Sequence, residues 1–294
     1  MNIPQQLFNG LFVGSIYALF ALGYTLVFGV LDVLNLAHAA VFTLGAFFGL
    51  VAVTTLGLPV WAGVLVAFVG GGCVGILLDR VAFAPLRRRP DTHFAGLISS
   101  LAMASLFIAF VQEVFGPQDY VFPPGTFPDV ALEIAGARIQ LIQLVIVAVS
   151  VGLMGWLSWL VQRTRFGRSL RAVAENPRAA ALLGIDVERV NAQTFFLSSA
   201  LGAVAGVLLG LAFNSVAFDL GASIELKGLA VIVVGGMGSL VGAMVGGLIL
   251  GLTEVFAVAG IGSTWRDAIA FGLLFIILIV RPRGLFGRPR LRRD

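Results

Sequence analysis

Apolar residues run along this chain in long stretches, not in the alternating or one-sided patterns of a water-facing fold. Met1–Leu78 carries one formal charge, Asp32; Ile139–Gln162, Val190–Phe218 and Gly228–Thr253 carry none, and Phe94–Gly116 carries Glu113 alone. A helix needs roughly 20 apolar residues to cross the ~30 Å hydrocarbon layer. The pattern predicts spans at Leu7–Val30, Ala39–Leu56, Val60–Leu78, Phe94–Phe115, Ile139–Val161, Asn191–Phe213, Gly228–Met237, Leu240–Ala259 and Asp267–Val280. The seventh is short and glycine-interrupted, so the count is eight or nine, depending on whether that segment crosses or re-enters. Unpaired backbone groups are too costly in lipid for an open sheet, so each span is expected to be helical. The alternation of a membrane barrel is absent. The expected fold is an all-α polytopic membrane protein with broken or re-entrant glycine-rich segments.

Composition agrees. Of 294 residues, 59% are hydrophobic and 12% charged, about half the charge usual for a soluble domain. A soluble enzyme and a disordered chain are excluded, because a folded sphere of this size could not hide so much apolar surface. Cys73 is the single cysteine, so no disulfide framework exists within the chain. Placement of charge then gives orientation. Of the 19 Lys and Arg residues, four lie at Arg80 and Arg87–Arg89, six between Arg163 and Arg189, and six between Arg281 and Arg293. These groups are expected to face the cytoplasm, and the net charge of +4 is read as that bias and not as nucleic-acid binding. The Pro-rich, net acidic loop 117–138 suits the outer side, as does Asn214–Lys227. Nine crossings put the N-terminus outside and the basic tail 281–294 inside; eight put both termini on one side. The first span lacks a preceding basic residue and a cleavage site, unlike a signal peptide.

The whole chain 1–294 reads as a single transmembrane domain, since its longest polar pieces are too short to bury a core. It contains no G-x-x-x-x-G-K-[ST] phosphate loop, so an ATPase, if one drives it, is a separate chain. The two halves echo each other: a long Gly/Ala-rich span (Leu7–Val30; Asn191–Phe213), a polar joint (Asp32, Asn35, His38; Asp219, Glu225, Lys227), then a glycine-interrupted apolar segment. With the N-terminus outside, the units would run in opposite directions as inverted repeats; shared composition alone could also produce the likeness.

The loop 163–190 holds the most specific signal. Asn176 can cap free N–H groups and Pro177 suits the first helical position; Gly184 stands where helices commonly end. The predicted helix Pro177–Leu183 is far shorter than the ~12 residues that sustain an isolated helix. It therefore needs a docking surface, and Arg168, Arg171 and Arg178 could pair with a partner's carboxylates. The plain alternative is a basic loop with one helical turn.

Here the sequence resembles a family. Gly167-Arg168-Ser169-Leu170-Arg171-Ala172-Val173-Ala174-Glu175-Asn176-Pro177, followed by Ala-Ala-Leu-Leu-Gly-Ile, resembles the coupling loop of branched-chain amino acid ABC transporter permeases. The segments Gly14–Leu19, Ala21–Gly23, Gly29–Leu31 and Asn35–His38 are similar to the N-terminal signature of the smaller of the two permease types. Val81–Arg87, Gly235–Gly242 and Arg281–Gly287 also match, in order and nearly end to end. The family pattern is departed from at Leu36, where Phe is usual, and at Ala39, where Gly is usual. The resemblance implies a non-enzymatic permease of the bacterial inner membrane. Its implied partners are a second related permease, two cytoplasmic ATPase subunits that bind ATP and Mg, and an extracytoplasmic solute-binding protein. It implies a coupling helix seated in an ATPase groove, drawn from Gly167, Arg168, Arg171, Ala172, Glu175, Asn176, Pro177, Ala179, Ala180, Leu183 and Gly184. No cofactor is implied for this chain. The cargo would be branched-chain or related small amino acids, with urea, short amides or another compact polar solute as the alternative; a stand-alone carrier or channel is the reading outside the family.

Further polar and glycine positions carry two readings each. Asp32, Asn35 and His38 interrupt an apolar stretch, either as a broken helix beside the pathway or as an interfacial turn with His38 capping the next helix at headgroup level. The preceding span is long enough to have reached the interface, which favours the turn. Gly235, Gly236 and Gly238 break a transmembrane pattern at its centre, either exposing backbone to a solute or allowing close packing. Gly242/Gly246, Gly247/Gly251 and Gly202/Gly206/Gly210 have helix-packing spacing. Glu113 and Glu254 are expected at span ends as interfacial carboxylates. His38 and His93 are far apart without cysteine partners, so no metal site is expected. The tail can bind anionic lipid.

Overall fold

The computed structural model describes residues 2–87, 92–128, 130–134, 136–282 and 284–287. Arg88, Arg89, and most of the basic tail 281–294 lie outside the described residues. The helices are α1 (Ile3–Leu31), α2 (His38–Thr54), α3 (Val60–Leu78), α4 (Thr92–Phe115), α5 (Leu141–Arg163), α6 (Arg165–Glu175), α7 (Pro177–Leu182), α8 (Val187–Phe213), α9 (Leu220–Gly235), α10 (Leu240–Ile261) and α11 (Arg266–Val280). Among the described residues, seven helical segments are long and apolar enough to cross a membrane, and α2 is a shorter apolar helix. The chain is an all-α multi-pass membrane protein. The loop after α4 adds an antiparallel hairpin of β1 (Ala131–Ile134) and β2 (Ala137–Gln140).

Helices α1 and α8 form the axis. They are buried over most of their length, whereas α4, α5 and α11 present broad apolar faces outward, as lipid-facing helices do. Glycine sets how closely the axis is approached. Gly14 of α1 lies against Gly247 and Leu248 of α10, and a side chain on Gly247 would meet the Ala18 backbone at 2.5 Å. On the other flank, Gly71 and Gly75 of α3 rest on Ser199, Ala203 and Phe195 of α8. In lipid, helix association relies on such close backbone contact because burial of apolar area gives no advantage.

The two ends of the bundle differ. At one, the N-terminus meets the hairpin: Asn2 Nδ2 donates to the Gly136 carbonyl at 2.6 Å, and the Arg138 N–H donates to Gln5 Oε1 at 2.7 Å. At the other lie the end of α5, the 163–190 segment and the extension of α3, which continues as a π turn (Asp79–Phe83) and a 3-10 turn (Ala84–Leu86). The C-terminal segment joins this second end, with the N–H groups of Leu285 and Phe286 bonded to Val234 and Gly235 carbonyls at 2.8 and 2.9 Å.

Two expectations change. Asn214–Lys227 is not an outer loop: α9 begins at Leu220, so Glu225 and Lys227 are helical, and the seventh span starts eight residues earlier than its apolar run. Gly235–Gly238 is not the centre of a span. It reverses the chain between α9 and α10, with Gly236 at φ 103° and Gly238 at φ 81°, a backbone that glycine adopts without cost.

Replacing Gly247 by Leu should destabilise the fold by about 1–3 kcal/mol through overpacking. Gly152 of α5, with open space around it, should accept Leu within about 0.5 kcal/mol. Thermal melts of the purified variants in detergent check the contrast.

Candidate functional site

Three constructions stand out. The first is the 163–190 segment. The Thr164 hydroxyl donates to the Leu160 carbonyl at 2.5 Å and accepts the Gly167 N–H at 3.2 Å, ending α5 and starting α6. Gly167 lies so close to the Val161 carbonyl that no side chain fits, and Arg171 donates to that same carbonyl. Leu170 and Val173 are buried beneath. Asn176 Oδ1 then accepts the N–H groups of Arg178 and Ala179, both at 3.1 Å. At the far end, the Ile185 N–H bonds the Ala180 carbonyl and the Gly184 N–H bonds Ala181, both at 3.0 Å, with Gly184 at φ 83°. This is a complete Schellman closure. A six-residue helix is thus held by caps at both ends, and Asp186 caps α8 directly after it.

What α7 presents is apolar. Leu182 is 89% exposed and Leu183 82%. Arg168, Arg171, Glu175, Asn176, Pro177, Ala179 and Gly184 also face outward, while Gly167 and Ala180 are buried and Ala172 is half-buried. Ala180 therefore packs inward on the protein itself, which removes it as an outward contact. Leu182 was not among the predicted contacts, though its apolar character beside the helix stop was signal enough.

The second construction is the crossing of two broken helices. After α1, Asp32 takes a left-handed backbone (φ 56°) and the chain turns back into the bundle. Asn35 is buried, its Oδ1 accepting the Ala37 N–H at 3.2 Å, and the Leu36 N–H donates to Ser100 Oγ at 3.2 Å. His38 opens α2 fully buried, with Nε2 donating to the Phe20 carbonyl at 3.2 Å. Its ring sits 4.8 Å from that of Phe20 and 5.2 Å from that of Tyr24. Gly23 and Gly202 make room for it; a side chain on either would stand 2.7 Å from the imidazole. The headgroup-level turn is thus overturned. His38 caps nothing, and the return segment carries it to the middle of α1 because α1 runs for 29 residues, about 43 Å.

The second break mirrors the first. Asn214 ends α8 with a left-handed backbone (φ 47°); it and Asp32 are the non-glycine residues in that region among those described. Residues 214–219 return, bonded to the loop 117–138 through Tyr120 and Val216 in both directions at 2.9 and 2.8 Å. Helix α9 then starts against α2, with the Gly221 N–H donating to Thr43 Oγ1 at 2.9 Å and Gly221 pressed on the Ala39 carbonyl. The starts of two short helices meet beside Phe20 and His38. Tyr24 OH and His38 Nδ1 are buried there with no hydrogen-bond partner among the described residues. Gly235, Gly236 and Gly238 are not brought to this crossing; they stand at the far end of α9, packed on Gly242 and on Phe286 and Gly287.

The family profile described as branched-chain amino acid transport system, permease component, matches residues 6–278. The chain belongs to this family. It is 35% identical to the high-affinity branched-chain amino acid transport system permease protein BraD of Pseudomonas aeruginosa, over 98% of this chain and 97% of that relative. It is 36% identical to the permease protein LivH of Escherichia coli over the same shares, and 28% identical to a probable LivH of Methanocaldococcus jannaschii over 93% and 89%. A solved chain of PsaBC from Streptococcus pneumoniae, in complex with a Fab, aligns at 14% identity with a TM-score of 0.49, over 95% of this chain and 92% of that one.

The third construction in this permease-family chain is an ionic cluster that sequence reasoning missed. Glu254 of α10, expected at an interface, is fully buried. Its Oε1 lies 3.1 Å from Lys227 Nζ of α9 and 2.8 Å from Arg266 Nε of α11, and Tyr17 OH of α1 donates to Oε2 at 3.0 Å. Asp267 reaches Lys227 at 3.3 Å. Lys227, the one lysine of the sequence, was counted as loop because the charge hid the helix around it. Its signal was a lysine and a glutamate each set within apolar surroundings, where ionisable groups are costly unless paired.

Glu254→Leu should destabilise the protein by about 3–5 kcal/mol, because it removes the buried partner of Lys227 and leaves that ammonium with the exposed Asp267. Adding Lys227→Leu should recover most of that loss. Denaturation midpoints of the two single variants and the double variant test the coupling; no recovery would show that the two charges do not act as a pair.

Proposed function

We propose that this chain is a transmembrane permease subunit of an ATP-binding-cassette importer of the bacterial inner membrane, moving branched-chain or related small amino acids. The arginine-bearing end faces the cytoplasm, by the bias of basic residues to that side. The seven long spans with α2 and α9 make nine passes, N-terminus outside and C-terminus inside. The whole chain is one transmembrane domain, with 163–190 as its cytoplasmic coupling loop and 117–138 as its outer loop. The paired breaks at Asp32 and Asn214, each after a long buried helix and before a short one, support an inverted repeat of α1–α2 with α8–α9.

The observation that carries the reading is the exposure of Leu182 and Leu183 on a doubly capped helix. Two bare leucines at the end of a basic segment are a costly feature in water, and a groove in a cytoplasmic ATPase subunit removes that cost. ATP and Mg belong to such subunits. A second permease completes the pathway, and a solute-binding protein delivers cargo at the hairpin end. Arg168, Arg171 and Glu175 flank the leucines as charge partners.

The pathway in this proposal passes Asn35 and His38 at the crossing of α2 and α9. Helix starts favour a carboxylate. With Nε2 donating to Phe20, a neutral imidazole leaves Nδ1 as a bare acceptor suited to an ammonium. A zwitterionic amino acid offers both groups.

The test is ATP-dependent leucine uptake by vesicles holding this chain with its ATPase subunits and binding protein. Leu182→Asp with Leu183→Asp should weaken ATPase-subunit binding by at least about ten-fold per leucine and abolish uptake, with membrane insertion kept. Unchanged uptake would overturn the coupling role, and full uptake by the chain alone would make it a stand-alone carrier. Cysteine crosslinking belongs at Leu182 or Leu183, not at buried Ala180, after the exposed Cys73 is replaced.

A further inference from the structure

A crevice of about 920 Å³ opens at the arginine-bearing end, between the extension of α3, the end of α5 and the start of α8. Its interior is apolar: Ile76, Trp156, Leu160, Phe196 and Leu197 line it. Its rim is charged, and the charges balance. Arg80, Arg87 and Arg189 stand with Asp79, Asp186 and Glu188. The π turn at Asp79–Phe83 builds one wall; such turns are rare and gather at functional sites. Asp79 is 2% exposed and paired with Arg87, yet Arg87 Nε is buried with no acceptor among the described residues.

A crevice with an aromatic interior and a polar rim matches a molecule with a long apolar body and a charged head. Its volume far exceeds a small amino acid, and it lies outside the α2–α9 crossing. Trp156 and Trp159 of the α5 wall are both partly exposed, and tryptophan marks the headgroup level of a bilayer. A purely basic rim would select an anionic head. Besides the buried Asp79, this rim carries Asp186 and Glu188 at exposed positions, so it suits a head with both a phosphate and a hydrogen-bonding ammonium.

We propose that this crevice holds one phospholipid of the cytoplasmic leaflet with a zwitterionic primary-amine head, of the phosphatidylethanolamine type. The phosphate accepts from Arg87 Nε and Arg80, the ammonium donates to the carboxylates of the rim, and an acyl chain lies on Trp156 and Phe196. The leaflet follows from the arginine bias, and the proposal does not depend on what the chain transports.

The test uses the full chain in detergent, exchanged into an equimolar mixture of phosphatidylethanolamine, phosphatidylglycerol and phosphatidylcholine, with retained lipid quantified by native mass spectrometry. Phosphatidylethanolamine should be retained about ten-fold over each of the others, the effect of one charge-assisted hydrogen bond. Phosphatidylcholine has the same charge but no ammonium N–H. Ala192→Trp, at a residue that lines the crevice, should abolish retention of all three lipids, and Glu188→Ala, at an exposed rim carboxylate, should erase the preference. Where Ala192→Trp fails to fold, Glu188→Ala decides. Equal retention of the three lipids, an excess of phosphatidylglycerol, or an unchanged preference in Glu188→Ala would overturn the proposal.

Discussion

Two long helices end and the chain turns back into the bundle, and every backbone group buried in such a return must find a partner within the protein. Unsatisfied N–H and C=O groups cost several kcal/mol each in hydrocarbon. The return after α1 meets this with Asn35, which bonds the Ala37 N–H, and with Ser100 of α4, which takes the Leu36 N–H. The return after α8 meets it with the loop after α4, through Tyr120 and through Asn214 Oδ1, which accepts the Phe122 N–H at 3.0 Å. The loop 117–138 is therefore part of the membrane fold and not a tether between spans.

The same constraint explains where glycine is concentrated. A short helix starting at mid-depth needs its first turn surrounded by backbone, and side chains would keep that backbone away. Gly23 and Gly202 admit the His38 ring, Gly206 admits the Phe42 carbonyl, and Gly221 sits on the Ala39 carbonyl. The helix-packing spacing of Gly202/Gly206/Gly210 was visible in the sequence; that Gly202 makes room for an imidazole was not. The reason is distance along the chain: residue 202 and residue 38 become neighbours only through the turn at Asp32.

The sequence read well where local chemistry decides. The ends of α3, α4 and α10 follow apolar runs bounded by charge, proline or glycine. The α7 helix was legible in full because Asn176, Pro177 and Gly184 are cap residues whose roles need no tertiary information. It read poorly where burial overrides composition. Lys227 and Glu254 looked like boundary markers, yet α9 and α10 lie antiparallel and place them together with Tyr17 and Arg266, so their charges mark an interior. His38 looked interfacial for the same reason, since nothing local shows that a chain leaving a 29-residue helix turns inward.

Helix α8 joins the two regions. Its first turn is capped by Asp186, shortly after α7; Gly202 near its middle carries His38; and Asn214 at its end begins the second return. A continuous helix of 27 residues moves more nearly as a rod than as a chain of independent links. A displacement of α7 therefore reaches the α2–α9 crossing along one element. The close glycine contacts there allow little gradual compression, because packed interiors shift between discrete arrangements. The Lys227–Glu254 cluster ties α9 to α10 and α11 on the other side of the crossing, so motion of α8 is resisted by a fixed partner rather than followed by it. Relative movement between α2 on α8 and α9 on α10 is what that arrangement permits, and it is at the boundary between them that Tyr24 OH and His38 Nδ1 are left without partners.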